Sequence, residues 1–216
     1  MNLVLLIIIA YLVATLWEHY FHRDILHASA KVVRKWQNSN FWLDKMWYHG
    51  YYTHHIIHHK KTFQKEYTKQ FENKEQKEKL DKYLVDKFGN SEGNRNYGLT
   101  VNTIYEYLMF ILPLLFLFPI LIVLLKLYQI IIFGLVMMLP LLLSKYIHPL
   151  LHKEIKNDWF YNNFYIKLIY QTHYIHHKDD SKNFNLLWGG DWIRKSYIAP
   201  LNFHKSRSSY PNNDLK

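Results

Sequence analysis

The chain has no cysteine. That excludes disulfide frameworks, thiolate zinc sites, cysteine-held iron–sulfur clusters and a cysteine nucleophile, and leaves imidazole and carboxylate as the metal ligands. It has no H-E-x-x-H pair and no G-x-S-x-G turn, so a zinc-protease helix and a hydrolase nucleophile elbow are absent as well. Ionisable side chains are missing from the interior of its apolar stretches. Leu3–Trp17 carries none, and the block from Tyr105 to Tyr146 is interrupted internally only by Lys126, so no ion pathway across a bilayer is marked.

Half of the 216 residues are hydrophobic and 18% are aromatic, which excludes a disordered chain. Mean hydropathy is nevertheless slightly negative, because charge and apolarity are segregated into blocks. That segregation predicts an all-α integral membrane bundle, read as one domain over 1–216 with spans at about 3–21, 105–125 and 127–147. A signal peptide would need basic residues before the first run and small residues after it. The run has neither and is followed by WEHYFHRDILH, so an uncleaved span is expected. Pro113, Pro119 and Pro140 are expected to kink the later spans without breaking them.

Three crossings put segments 22–104 and 148–216 on one side. Of the 27 Lys and Arg residues, 15 lie in 18–104 and 11 in 144–216, and the remaining one is Lys126 at the hairpin tip. The positive-inside rule makes that face cytoplasmic. The net charge of +10 is thereby explained by topology and anionic headgroups, and no nucleic acid is expected as a partner. Between Lys60 and Arg95 the spacing of Tyr67, Phe71, Leu84 and Phe88 predicts an amphipathic surface helix stopped at Gly89, with a solvated charged loop as the alternative.

Most of the 14 histidines fall in four bunches beside predicted span ends or interfacial segments: His22 and His27; His55, His58 and His59; His148 and His152; His173, His176 and His177. Spacings of three and four residues aim imidazoles from one helical face at one place. His22 and His27, five apart, would stand about 140° apart on a regular helix, so that segment must bend or serve two ions. Ten neutral imidazoles are costly to bury without a cation, and a dinuclear site absorbs that many nitrogens. His204, and also His19, His49 and His54, are read as surface or core residues.

The order H-x4-H, H-x2-HH, two spans, H-x3-H and H-x2-HH resembles the fatty acid hydroxylase and sterol desaturase superfamily of membrane di-metal oxygenases, over Trp17–Tyr197. Glu18, His22, Arg23 and His27 are similar to its opening motif. Asn183, Phe184, Trp188 or Trp192, and Asp191 are similar to its last one, with Asn185 where the family has glycine. The resemblance implies a cytoplasmic histidine-rich cap holding two Fe ions, with Zn able to replace them in purified protein. It also implies O2-dependent hydroxylation of a membrane lipid (fatty acyl, sphingolipid or sterol). Carotenoid ring hydroxylation and lipid desaturation are variants of the same site, and a histidine-rich zinc-binding membrane protein is the non-enzyme alternative. No haem domain is fused, so a separate electron donor, cytochrome b5-like or ferredoxin-like, is expected, and in a eukaryote the endoplasmic reticulum membrane. Glu18, Asp24, Asp158, Asp179, Asp180 and Asp191 are candidates for orienting the imidazole rings, with a solvated surface charge the favoured reading of Asp158 and Asp180.

Overall fold

The computed structural model describes residues 2–65, 67–89, 97–99, 104–153 and 159–190, and every regular element among them is helical. Asp158, Asp191, Trp192 and His204 lie outside the described residues. Helix α1 (Leu3–Tyr20) starts on Asn2, whose side chain accepts from the Val4 N–H, and passes without a break into a π-helix, Phe21–Leu26. Helix α2 (Ala30–Asn38) is followed by α3 (Trp42–Tyr51), which likewise runs on into a π-helix, Tyr52–His59. Helix α4 (Lys74–Phe88) ends at Gly89 with φ of +74°, a conformation that only glycine adopts freely.

The remaining elements are α5 (Ile104–Ile111), a 3-10 helix (Leu112–Leu117), α6 (Phe118–Leu124), α7 (Leu127–Met137), α8 (Leu139–Tyr146), α9 (His148–Leu151), α10 (Trp159–Asn162) and α11 (Phe164–Lys178). Among the described residues two helices are long and apolar enough to cross a membrane, Leu3–Leu26 and the α7–α8 unit Leu127–Tyr146. The stretch expected as one span over 105–125 is instead divided into α5, the 3-10 helix and α6. The proline signal explains the division: a proline stands at the first or second position of the 3-10 helix, of α6 and of α8, where its missing N–H costs nothing. The amphipathic helix expected between 60 and 95 is confined to α4, where Leu80 and Leu84 are buried, while Tyr67 and Phe71 precede it.

Helices α1 and α7 pack closely through Leu6, Ala10, Ala14, Phe133 and Met137, the alanines permitting close approach. Both α1 and α7–α8 end at the histidines, His22 following one and His148 the other, so the two run in the same sense. The start of α7 lies about 30 Å from that end at 1.5 Å per residue, and residues 104–124 make the return pass. The outward faces are bare of polar cover: Val4, Leu5 and Ile8 on α1 and Phe116, Val123, Leu127 and Leu135 further on are each half or more exposed. An exposed apolar surface of this extent marks contact with a bilayer or with another protein.

The C-terminal segment after α11 is tied to α1 by Tyr11, which donates to Trp188 O, by Thr15, which donates to Leu187 O and whose carbonyl accepts from Asn185, and by a carboxylate. Buried Glu18 accepts from the backbone N–H of Leu186 at 2.5 Å and of Leu187 at 2.8 Å. Glu18→Ala leaves both donors unpaired, and at roughly 1–3 kcal/mol per lost charge-assisted bond the thermal midpoint of detergent-purified protein should drop by several degrees. Glu18→Gln, which keeps one acceptor oxygen, should recover part of the loss. A midpoint unchanged in Glu18→Ala would show that the segment is held by other contacts.

Candidate metal centre

Two π-helices position the N-terminal ligands. In the first, the His27 N–H bonds to the His22 carbonyl at 3.1 Å, an i→i+5 bond. The wider turn brings round two rings that a regular helix would splay, and their centroids are 5.0 Å apart. The second π-helix does the same for His54 and His59, also five residues apart, whose Nε2 atoms stand 3.3 Å from each other. The C-terminal ligands come from α9, with His152 just past its end, and from the last turns of α11.

The rings converge in two groups within which the ligand nitrogens all lie within 4.8 Å of one another: His58, His148, His152, His173 and His177 in the first, and His22, His27, His54 and His176 in the second. Each group can hold a metal ion. The first takes four imidazoles from the C-terminal half and His58 from the N-terminal half. The second takes three from the N-terminal half and His176 from the C-terminal half. His59 stands between them, its ring stacked on His177 at 4.1 Å and 4.7 Å from both His27 and His176.

Eight of the ten sequence-predicted ligands therefore sit in the two groups. His54, read from the sequence as a bystander, sits in the second. His55 sits outside both, with Nδ1 2.9 Å from His27 Nδ1, Nε2 3.9 Å from Asp180 and its ring stacked on Tyr51. The signal for His54 was the spacing: 54 and 59 repeat the interval of 22 and 27. His49 packs edge-on against Phe88, and buried His19 accepts from the Asn183 amide at 2.9 Å.

The rings are oriented by carbonyls more than by the carboxylates singled out in the sequence. His148 Nδ1 donates to Leu99 O at 2.7 Å, His152 Nδ1 to Tyr67 O at 3.0 Å and His176 Nδ1 to Lys182 O at 2.6 Å. A carbonyl only accepts, so each Nδ1 holds the proton and each Nε2 presents a lone pair. His22 Nδ1 is held at 3.1 Å by Asn183 Oδ1, an orientation fixed by the Asn183 amide group donating to His19 and to Asn185 Oδ1. Tyr67 also meets His173 Nδ1 through its hydroxyl. Asp179 is occupied by Ser181, Asp180 by Lys60 at 2.7 Å, and Asp24 sits half-buried on the first π-turn.

The lone pairs so created face one another. His148 Nε2 is 2.8 Å from His173 Nε2, His152 Nε2 is 3.2 Å from His58 Nε2, and His22 Nε2 is 3.2 Å from His54 Nε2. The Nε2 atoms of His27, His176 and His177 and the Nδ1 atoms of His58 and His59 are buried with no hydrogen-bond partner. Orphaned polar atoms at this density cost roughly 1–3 kcal/mol each, and a coordinated cation removes the cost. Burial, reinforced by neighbouring imidazoles, holds His27, His54, His58, His59, His152, His173, His176 and His177 well below the ordinary value of 6.5, and burial brings His148 down to about 4. They are neutral at pH 7, the state in which imidazole binds metal.

An apolar cavity of about 100 Å³ reaches the groups from one side. His22, His54 and His148 line one part, with Phe21, Met109, Phe110, Pro140 and Leu141 among the apolar lining. Elsewhere aromatic rings cover the first group, Phe63 stacked on His152 at 4.0 Å and Tyr67 at 4.7 Å from the same ring. Phe63 adopts φ of +54°, uncommon for a bulky residue, and its N–H bonds to Gln70 O at 3.1 Å.

Two outcomes are expected. Metal bound per chain, measured by elemental analysis, should fall in His54→Ala and stay at the parent level in His55→Ala; the reverse order would move the second group by one residue. For the metal-free protein, imidazoles that are buried neutral take up protons on unfolding, so the unfolded state binds more protons below its pKa. Stability is then complete above about pH 6.5 and declines as the pH falls toward about 4. A thermal midpoint that rose on acidification through that window would contradict the neutral burial.

No family model matches this chain, and no curated protein and no solved structure matches it either.

Proposed function

We propose that the protein is a membrane-embedded di-iron oxygenase that hydroxylates a lipid C–H bond, as the resemblance to the fatty acid hydroxylase and sterol desaturase superfamily implies. The observation that carries this reading is the position of two histidine groups beside an apolar cavity that both of them line, His22 and His54 from one and His148 from the other. A lipid chain in that cavity would lie against both ions. Five imidazoles around one point exceed the four ligands of structural zinc and suit an ion of higher coordination number such as iron. Bound iron would supply the redox chemistry needed to use O2, which zinc lacks.

In the reaction one oxygen atom enters the C–H bond and the other leaves as water, which requires two electrons and two protons from a separate donor. The protein's part is to hold the ions through imidazoles whose tautomers Leu99, Tyr67, Lys182 and Asn183 fix, and to keep water off the first group with Phe63 and Tyr67. An electron-transfer protein of the cytochrome b5 or ferredoxin type would approach at His55, the least buried member of the assembly, which touches His27 and adjoins the basic residues Lys60 and Lys61. The exposed apolar faces of α1, α6 and α7 support placement in a bilayer, with the histidine end on the cytoplasmic side by the distribution of basic residues.

The test is elemental analysis of protein purified under iron-replete conditions, followed by lipid mass spectrometry of cells expressing the parent or His177→Ala. Two irons per chain, lost in the variant, together with a lipid that gains one oxygen only with the parent, is the expected result. A product that has lost two hydrogens instead would place the chain among desaturases. Stoichiometric zinc in iron-replete cells, with no oxidised lipid, would overturn the oxygenase reading in favour of zinc binding.

A further inference from the structure

In the cavity wall the tip of a flexible side chain rests on a glycine. Gly50 is buried on α3, and a Cβ placed there would stand 2.5 Å from Met109 Sδ and 2.6 Å from Met109 Cε, with Leu26 Cδ2 at 3.5 Å. Met109 is buried on α5, belongs to the apolar cluster with Phe21, Ile25 and Phe110, and lines the same cavity as Gly50 and Leu26. Its thioether therefore lies back against the α3 backbone, and the space this leaves is cavity. The other nearby wall residues are stiffer: Phe21 and Phe110 pack edge-on at 5.1 Å, and Pro140 begins α8. Met109 is the unbranched, flexible member of the wall and the one whose position a single neighbouring atom decides.

The same cavity has a direction. Its lining follows one side of α8 from Pro140 and Leu141 to Ser144, about 6 Å at 1.5 Å per residue, and continues to His148 at the start of α9. A slot that runs past two aromatic rings and a proline toward the histidines fits an extended apolar chain lying along it.

Resting on the oxygenase reading for what happens to the bound chain, we propose that Met109, seated on Gly50, sets the width of the substrate slot, so that the protein selects a linear acyl chain over a methyl-branched one. Met109→Ala removes the thioether and opens the slot. Gly50→Ala pushes the thioether forward and narrows it. The two substitutions thus act in opposite senses on one site, which a general loss of packing would not produce.

The experiment uses the full-length protein as purified, in lipid nanodiscs, labelled by a photoactivatable diazirine analogue of stearic acid, with stearic acid or methyl-branched phytanic acid as competitor. Labelled peptides should include residues 106–110 or 140–144. For the parent, phytanic acid, which carries four methyl branches, should compete at least about tenfold less well than stearic acid, the discrimination an apolar pocket shows for a single extra methyl group. In Met109→Ala the difference should shrink to about threefold or less, and in Gly50→Ala labelling itself should fall several-fold while circular dichroism stays at the parent value. Equal competition by the two acids in the parent, a gap that Met109→Ala leaves unchanged, or labelling confined to other segments would each overturn the proposal. Should Gly50→Ala fail to fold, Met109→Leu, which keeps the volume but adds a branch, should lower labelling in its place. Because the readout needs neither iron nor turnover, the slot can stand where the oxygenase reading falls, and fall where it stands.

Discussion

The structure is organised around buried imidazole lone pairs with nothing but one another to face. His148, His152 and His176 each give their one proton to a backbone carbonyl, which leaves Nε2 bare and aimed inward. Such an interior is electrostatically unfavourable as a set of neutral rings and worse if the rings are protonated, since each charge would be desolvated beside others of its own sign. A cation turns the same arrangement from a cost into a binding site. The positions of the helix ends, of Tyr67 and of the 183–187 segment follow from keeping that set oriented.

The π-turns are the local device that makes the convergence possible. Five-residue spacing is unsuited to a regular helix, where His22 and His27 would diverge, and the i→i+5 bond removes the conflict at the expense of one less favourable turn. Such turns are commonly found at functional sites, and here the reason is geometric: the extra residue per turn re-aims a ring without breaking the rod that carries it. Because α1 and α3 each flow into such a turn, the first four ligands hang from continuous helices and not from loops.

Much of this was legible in the sequence because it depended on counting residues. The bunching of histidines and the length of the apolar blocks pointed to the metal groups and to two of the three apolar passes. What was not legible depended on backbone conformation. A helix-period reading favoured His55 over His54, because nothing in the residues around them announces a π-turn. The expectation that carboxylates orient the rings gave way to carbonyls of Leu99, Tyr67 and Lys182, which every residue possesses and no motif can flag. Tyr67, assigned to an amphipathic helix by its spacing, is placed against His152 and His173 by a non-helical segment. The division of the middle pass followed from Pro113 and Pro119, whose effect had been expected to stop at a kink.

The reciprocal exchange of one ligand between halves, His58 into the C-terminal set and His176 into the N-terminal set, makes each ion a cross-link. Each would close a loop of about a hundred residues in a chain whose ends meet the middle through few covalent constraints, and closing long loops is where a cross-link restricts the unfolded ensemble most. Neither ion could be fully held until the last turns of α11 had been made and brought against the π-turns, the second for one group and both for the other. An ion bound in either group would therefore act as a clasp between residues 22–58 and residues 148–177.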